Sequence, residues 1–180
     1  VAWKVQNLFA NKVFRTYISP DRKSIELGGS LKNVIALAAG IIDGLGFGDN
    51  TEAALITRGI KEITQLGVEM GGNAKTFYGL SGIGDLIVTC NSKHSRNRRA
   101  GVLIGKGYTL DEAVKEVKRV VEGAVSAKAA LELARKYNVG VPIIEAVNQV
   151  LFEGKPAIDG MWELMEREQT NEYRDLQWDE

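Results

Sequence analysis

Cysteine and histidine are almost missing from this chain, and neither sign of charge prevails. A single cysteine, Cys90, among 180 residues excludes an intrachain disulfide and makes a reducing, cytoplasmic setting the expectation. A single histidine, His94, leaves little to build a metal centre from, and no metal is expected. Lys+Arg and Asp+Glu both total 23, so the formal net charge is zero. That removes any global electrostatic drive toward nucleic acid or an anionic membrane, and anion binding must come from a local cluster. Apolar runs of membrane-spanning length are also lacking: residues 34–42 are closed by Asp43 and flanked by glycines, so no membrane span is expected.

What is present suits a globular protein: 44% hydrophobic and 26% charged residues. A chain of this length buries on the order of 70% of the surface that its unfolded form exposes, enough for one core. It opens mid-pattern with VAWKVQNLF and without methionine, as expected of a piece of a longer protein.

Residues 1–11 predict a short amphipathic helix, and VFRTYI at 13–18 predicts a strand. A second short strand is expected at 24–27, ended by Gly28 and Gly29. Thereafter the pattern is helical. A buried helix over 30–45 is followed by one over 51–70, capped by Asn50 and stopped by Gly71 and Gly72. A short helix around 74–78 precedes an apolar one over 82–90. Thr109-Leu-Asp-Glu112 reads as a capping box opening a helix to Val117. Further helices are expected over 124–137, from Pro142 to Glu153 and from Pro156 to Glu168, before a polar tail. The expectation is an all-α body with a small β-containing remnant in front, the boundary falling between residues 29 and 30.

Four places could carry chemistry. Lys32 and Asn33 stand at the mouth of the apolar helix; a partly desolvated lysine can act as a base, while a snorkelling surface lysine is the plainer alternative. Asp85, among apolar residues in GLSGIGDLIVT, wants a cation or donors: Lys32, Arg96 or backbone amides. Residues 93–99, KHSRNRR, form the sharpest anion-binding candidate, because arginine forks match phosphate oxygens in pairs and Ser95 and Asn97 add neutral donors. At helical spacing Arg96 and Arg99 point one way and Arg98 another. Glu122, in VVEG, could accept from a ribose hydroxyl or an arginine, or be an exposed acid. His94 and Cys90 read as a spectator and a small buried residue. The glycines of GLGFGDN follow no strand and are no dinucleotide fingerprint.

Taken together, ELGGSLKNVIALAAGIIDGLGFGDN, AALITRGIKEIT, GLSGIGDLIVTC, SRNRRAG, VVEG and VPIIEAVNQVLFEG resemble the bacterial NAD(P)-dependent sn-glycerol-3-phosphate dehydrogenases. Ser30 stands where that family more often has Ala or Thr. The resemblance implies the multi-helix C-terminal domain of the 6-phosphogluconate-dehydrogenase-like type at 30–180, with 1–29 the last piece of a Rossmann domain. It implies Lys32 as proton acceptor, with Lys32, Asp85, Ser95, Arg96 and Asn97 contacting glycerol 3-phosphate or dihydroxyacetone phosphate. Arg96, Val120 and Glu122 would approach NAD or NADP, held mainly by the preceding domain. Supply of glycerol 3-phosphate for phospholipid synthesis and a possible homodimer follow from the same resemblance, and the chain alone would not turn over. Two rivals stand beside it: another hydroxyacid dehydrogenase with the same helical domain, and a non-catalytic helical module using 93–99 on nucleic acid.

Overall fold

A computed structural model describes residues 1–168, and among them every regular element is helical. The polar tail expected from residue 170 onward lies outside the described residues.

One long helix organises the body. α2 (Arg22–Gly44) carries Leu31, Val34, Ile35, Leu37, Ile41 and Ile42 into the core, with the alanines between them also buried. The helices packed most extensively against it are α3 (Asp49–Glu69), α5 (Asp85–Asn91), α6 (Arg96–Gly105) and α8 (Glu122–Tyr137). α4 (Ala74–Phe77) and a π-helical turn (Leu80–Gly84) lead into α5, and α7 (Leu110–Val117) follows α6. α9 (Pro142–Phe152) lies on α8, and α10 (Ala157–Met165) lies on α9.

Several expectations fail for identifiable reasons. No strand forms at 24–27, because α2 begins at Arg22, eight residues earlier than expected. Asp21 caps it, accepting from the Ser24 amide at 3.1 Å and from the Thr76 hydroxyl at 2.7 Å. Those bonds hold the Asp21 carboxyl down at about 2. Gly28 does not stop the helix; it lets the Ser81 carbonyl come close, a Cβ there standing only 3.1 Å from that oxygen. With this extension α2 is long and apolar enough to cross a membrane by length and composition, but its apolar side is the core of the fold. Residues 13–18 form no strand and pair with none; Gln6 and Thr16 tie them to α1 (Ala2–Phe9) instead. A strand needs a neighbour to complete its ladder, and none is among the described residues. α3 starts at Asp49 with Gly48 as its cap, so Asn50 lies inside the helix. α10 ends at Met165, short of Glu168. The Thr109–Glu112 capping box and Pro142 at the start of α9 are as expected.

The closest packing in the fold joins α2 to α6. Each carries two glycines four residues apart, Gly40 and Gly44 on α2, Gly101 and Gly105 on α6. A Cβ on Gly40 would lie 2.0 Å from the Arg98 carbonyl, and one on Gly101 2.1 Å from the Leu37 carbonyl. On Gly105 it would lie 2.3 Å from the Ile41 carbonyl. The backbones therefore touch directly, as small residues allow. The two helices run in the same sense, since Asn33 meets Asn97, Leu37 meets Gly101 and Ile41 meets Gly105.

Candidate functional site

Lys32 lies ten residues into α2 rather than at its mouth. Its ammonium donates to Asp85 Oδ2 at 2.5 Å. Asp85 is the first residue of α5, delivered by the π-helical turn. That turn depends on Gly82, whose Cβ would lie 1.9 Å from the Phe77 carbonyl. The Thr89 hydroxyl, one turn on, donates to the Asp85 carbonyl at 2.6 Å and approaches Oδ1 at 3.4 Å. The Lys32 side chain is 19% exposed and that of Asp85 37%. The pair thus sits in the wall of the fold with one side open, where a ligand can reach it.

Asn33, the next residue, links Lys32 to α6. Its amide donates to the Gly29 carbonyl at 3.3 Å, and its Oδ1 accepts from Asn97 Nδ2 at 3.0 Å. Asn97 is buried, and its Oδ1 accepts from the Gly123 backbone N–H at 2.9 Å. A Cβ at Gly123 would meet the Asn33 carbonyl at 2.5 Å, so this junction of α2, α6 and α8 closes only around glycine. Beside it, the Arg96 guanidinium donates to Glu122 Oε1 at 3.2 Å across the rim. Ser95 caps α6, accepting from the Arg98 amide at 3.3 Å. The backbone N–H groups of Arg96 and Asn97 open that helix, where intrahelical acceptors are lacking. Val120 is exposed two residues before Glu122.

One face therefore gathers a lysine–carboxylate pair, a helix N-terminus, an arginine and an acid. Lys32, Asp85, Asn97, Arg96 and Glu122 are joined by direct bonds or through neighbouring residues, although ninety positions separate the first from the last. Such a face can hold a phosphate by α6 and present an amine beside it. Among the described residues no cluster of His, Cys, Asp and Glu could hold a metal ion.

The basic run 93–99 is divided by the fold. Arg98 turns inward to Asp43, Nη2 to Oδ2 at 2.9 Å, and Arg96 is paired with Glu122. Lys93, His94 and Arg99 are left on the outer surface. This division weakens the nucleic-acid reading, which needs the run as one cationic face. Cys90 is buried, and burial pushes its thiol up to about 12, which removes it as a nucleophile.

Three positions that the motif reading passed over matter here. Thr89 and Gly123 complete the site, and Glu62 ties α9 to α3 in the core. Glu62 is buried and accepts the Ile143 and Ile144 amides at 2.8 and 3.3 Å, capping α9 from α3. The pairs GIIDG and GVLIG signal the α2–α6 contact in the sequence, for a reader looking for small residues at helical spacing.

The sequence model described as "NAD-dependent glycerol-3-phosphate dehydrogenase C-terminus" matches residues 21–161. A glycerol-3-phosphate dehydrogenase [NAD(P)+] of Agathobacter rectalis is 68% identical over 174 residues, covering 97% of this chain and 52% of the relative. One of Bacillus subtilis is 57% identical over 175 residues, covering 97% and 51%. The chain thus spans about half the length of the relatives that it matches. The crystal structure of a glycerol-3-phosphate dehydrogenase from Coxiella burnetii superposes with a TM-score of 0.89 at 37% identity, over 92% of this chain and 51% of that one.

Proposed function

The chain belongs to the NAD-dependent glycerol-3-phosphate dehydrogenase family, as its C-terminal helical domain, and from that premise we propose that it supplies the substrate pocket and the proton-transfer lysine of the whole enzyme. The reaction is the interconversion of sn-glycerol 3-phosphate and dihydroxyacetone phosphate, which would supply glycerol 3-phosphate for phospholipid synthesis. The observation that carries this reading is the Lys32–Asp85 pair opening onto the face where α6 begins.

Lys32 holds or accepts the proton of the substrate's C2 oxygen, and Asp85 keeps the ammonium aimed at that atom. The α6 N-terminus with Ser95, Arg96 and Asn97 grips the phosphate, so that binding energy away from the reacting carbon positions it. The Asn97 side chain already serves Asn33 and Gly123, which assigns its contact to the remaining amide hydrogen or to its backbone N–H. Arg96 is tied to Glu122 by an exposed pair that costs little to reopen toward a ligand.

The exposed guanidinium, carboxylate and apolar side chain of Arg96, Glu122 and Val120 fit one edge of a nicotinamide nucleotide, not the whole of it. NAD or NADP, when bound, supplies or takes up the hydride. The rest of its site belongs to the preceding Rossmann domain. We place the junction with that domain at Pro20–Asp21 rather than at residue 30. The start of α2 at Arg22 and of the family match at 21 support this, as do Trp3, Phe9, Phe14 and Tyr17, all exposed before it. A cytoplasmic homodimer with no nucleic-acid partner completes the reading.

The test uses the full-length protein containing this domain. It should oxidise NADH or NADPH with dihydroxyacetone phosphate, and Lys32→Ala should lower kcat by roughly 10²–10⁴. Arg96→Ala should raise KM for the phosphorylated substrate. Absence of turnover by the full-length protein, or full activity in Lys32→Ala, would refute the assignment.

A further inference from the structure

The α2–α6 seam lies behind the site and has an unusual weakness. Its glycines bring the backbones together but offer no side chains to fix how far one helix slides along the other. Yet the site depends on that register. Asn97 must reach Asn33, and Gly123 must reach Asn97, for Arg96 to stand beside Glu122.

Arg98 is the side chain placed to fix it. It leaves α6 on the side away from Arg96 and reaches Asp43, near the C-terminal end of α2. Its side chain is 16% exposed. Its charge also acts on Glu52, in the first turn of α3, whose carboxyl burial pushes up and Arg98 pulls back down. Arg98 Nε and Glu52 Oε1 are both buried without a hydrogen-bond partner in the protein. Asp43 is 43% exposed, so the pair adds little to stability of itself, and what a paired Arg98 gives the seam is a fixed register.

We propose that Arg98, paired with Asp43, is a positioning residue that sets the α2–α6 register and thereby places Asn97 and Arg96 for the substrate. It touches no substrate atom itself. Its bearing on catalysis rests on the function proposed above, whereas its bearing on the Asn33–Asn97–Gly123 junction does not.

The test compares Arg98→Met, Arg98→Lys and Asp43→Asn by two readouts. Amide hydrogen exchange on this chain follows the Gly123 N–H, with Ile35 and Ile63 as core references. Steady-state kinetics on the full-length protein follow dihydroxyacetone phosphate. In Arg98→Met, Gly123 protection should fall roughly tenfold relative to the references, as the loss of one junction bond implies. KM for dihydroxyacetone phosphate should rise by a similar factor while kcat stays within about threefold, the sign of a lost binding geometry. Arg98→Lys, which keeps a cation toward Asp43, should recover part of both, and Asp43→Asn should show a weaker form of each. Wild-type protection and KM in Arg98→Met would overturn the proposal. So would an equal loss of protection at Gly123, Ile35 and Ile63 in both Arg98→Met and Asp43→Asn, which would mark a merely structural role. Selective loss at Gly123 with no turnover by the wild-type full-length protein would refute the functional reading and leave the positioning role standing.

Discussion

Substituting Gly101 by alanine tests whether the α2–α6 backbones touch. The added Cβ would stand 2.1 Å from the Leu37 carbonyl, 2.9 Å from the Gly40 Cα and 2.9 Å from the Ile41 nitrogen. Carbon in ordinary contact keeps roughly 3.5 Å from its neighbours, so the helices would have to part by about 1 Å. All three atoms are main chain in the middle of a helix, and none can swing aside as a side-chain tip would. Overpacking of this kind costs about 1–3 kcal/mol, and here the upper end applies, because separation loosens the whole seam. Alanine's better helix propensity returns about 1 kcal/mol. The net expectation is a loss of about 2 kcal/mol, or a fall in melting temperature of about 4–8 °C for a chain of this size.

Gly29→Ala supplies the control. It lies inside the same α2, and a Cβ there meets nothing within 4 Å. Only the propensity term acts, so this chain should gain about 0.5–1 kcal/mol. Urea unfolding followed by circular dichroism at 222 nm would measure both. Opposite signs are required. If Gly101→Ala were as stable as Gly29→Ala, the direct backbone contact, and the site geometry hung from it, would be wrong.

Gly123→Ala should disturb the site more than the fold, because its Cβ would meet the Asn33 carbonyl at 2.5 Å; loss of substrate affinity in the full-length protein with helix content retained would show it. Glu62→Ala strips two α9 amides of their acceptor and should cost about 2 kcal/mol or more by urea titration. Burial pushes the Glu62 carboxyl up to about 8 from 4.5, so the folded state holds an extra proton between those values. Its stabilising contribution is complete below about 4.5 and is lost as pH rises through about 8; Glu62→Gln should flatten stability across that range. Asp21 behaves oppositely. Its carboxyl is held at about 2 by Ser24 and Thr76, so its contribution is present above its ordinary value of 3.8 and lost as pH falls toward 2. Proton–carbon correlation spectra of the carboxyls would detect both titrations.

The helical body was readable because its signals are local. A capping box at Thr109, a proline before IIEAVNQV and an apolar run after Leu31 each act within a few residues. The front of the chain misled because its signals depend on what is nearby. VFRTYI has strand chemistry but no ladder partner, and Gly28–Gly29 resembles a stop although Gly28 serves close packing against Ser81. The charged run 93–99 shows the same limit. Helical spacing separates Arg98 from Arg96 and Arg99, but only the position of Asp43 on a neighbouring helix reveals that Arg98 points inward. Lys32 and Asp85 were each legible as residues needing a partner, and their pairing follows from a π-helical turn that no periodicity announces.

The site is economical in what it asks of the chain. α2 is the core helix, and two consecutive residues on it, Lys32 and Asn33, receive α5 through Asp85 and α6 through Asn97, with α8 joined at Gly123. The packing that stabilises the core is therefore the packing that brings the polar groups together. The same arrangement explains why α2 and α6 each carry a pair of glycines four residues apart where they meet. Closer backbones shorten the reach that Asn97 must span, and an amide side chain is short. A leucine or valine seam would hold the helices roughly 8–10 Å apart, beyond what the Asn33–Asn97 bond could bridge without bending the helices. The glycine contact is thus a condition for the polar one, and the ion pair of Arg98 with Asp43 joins the Asn33–Asn97 bond in keeping that contact from sliding.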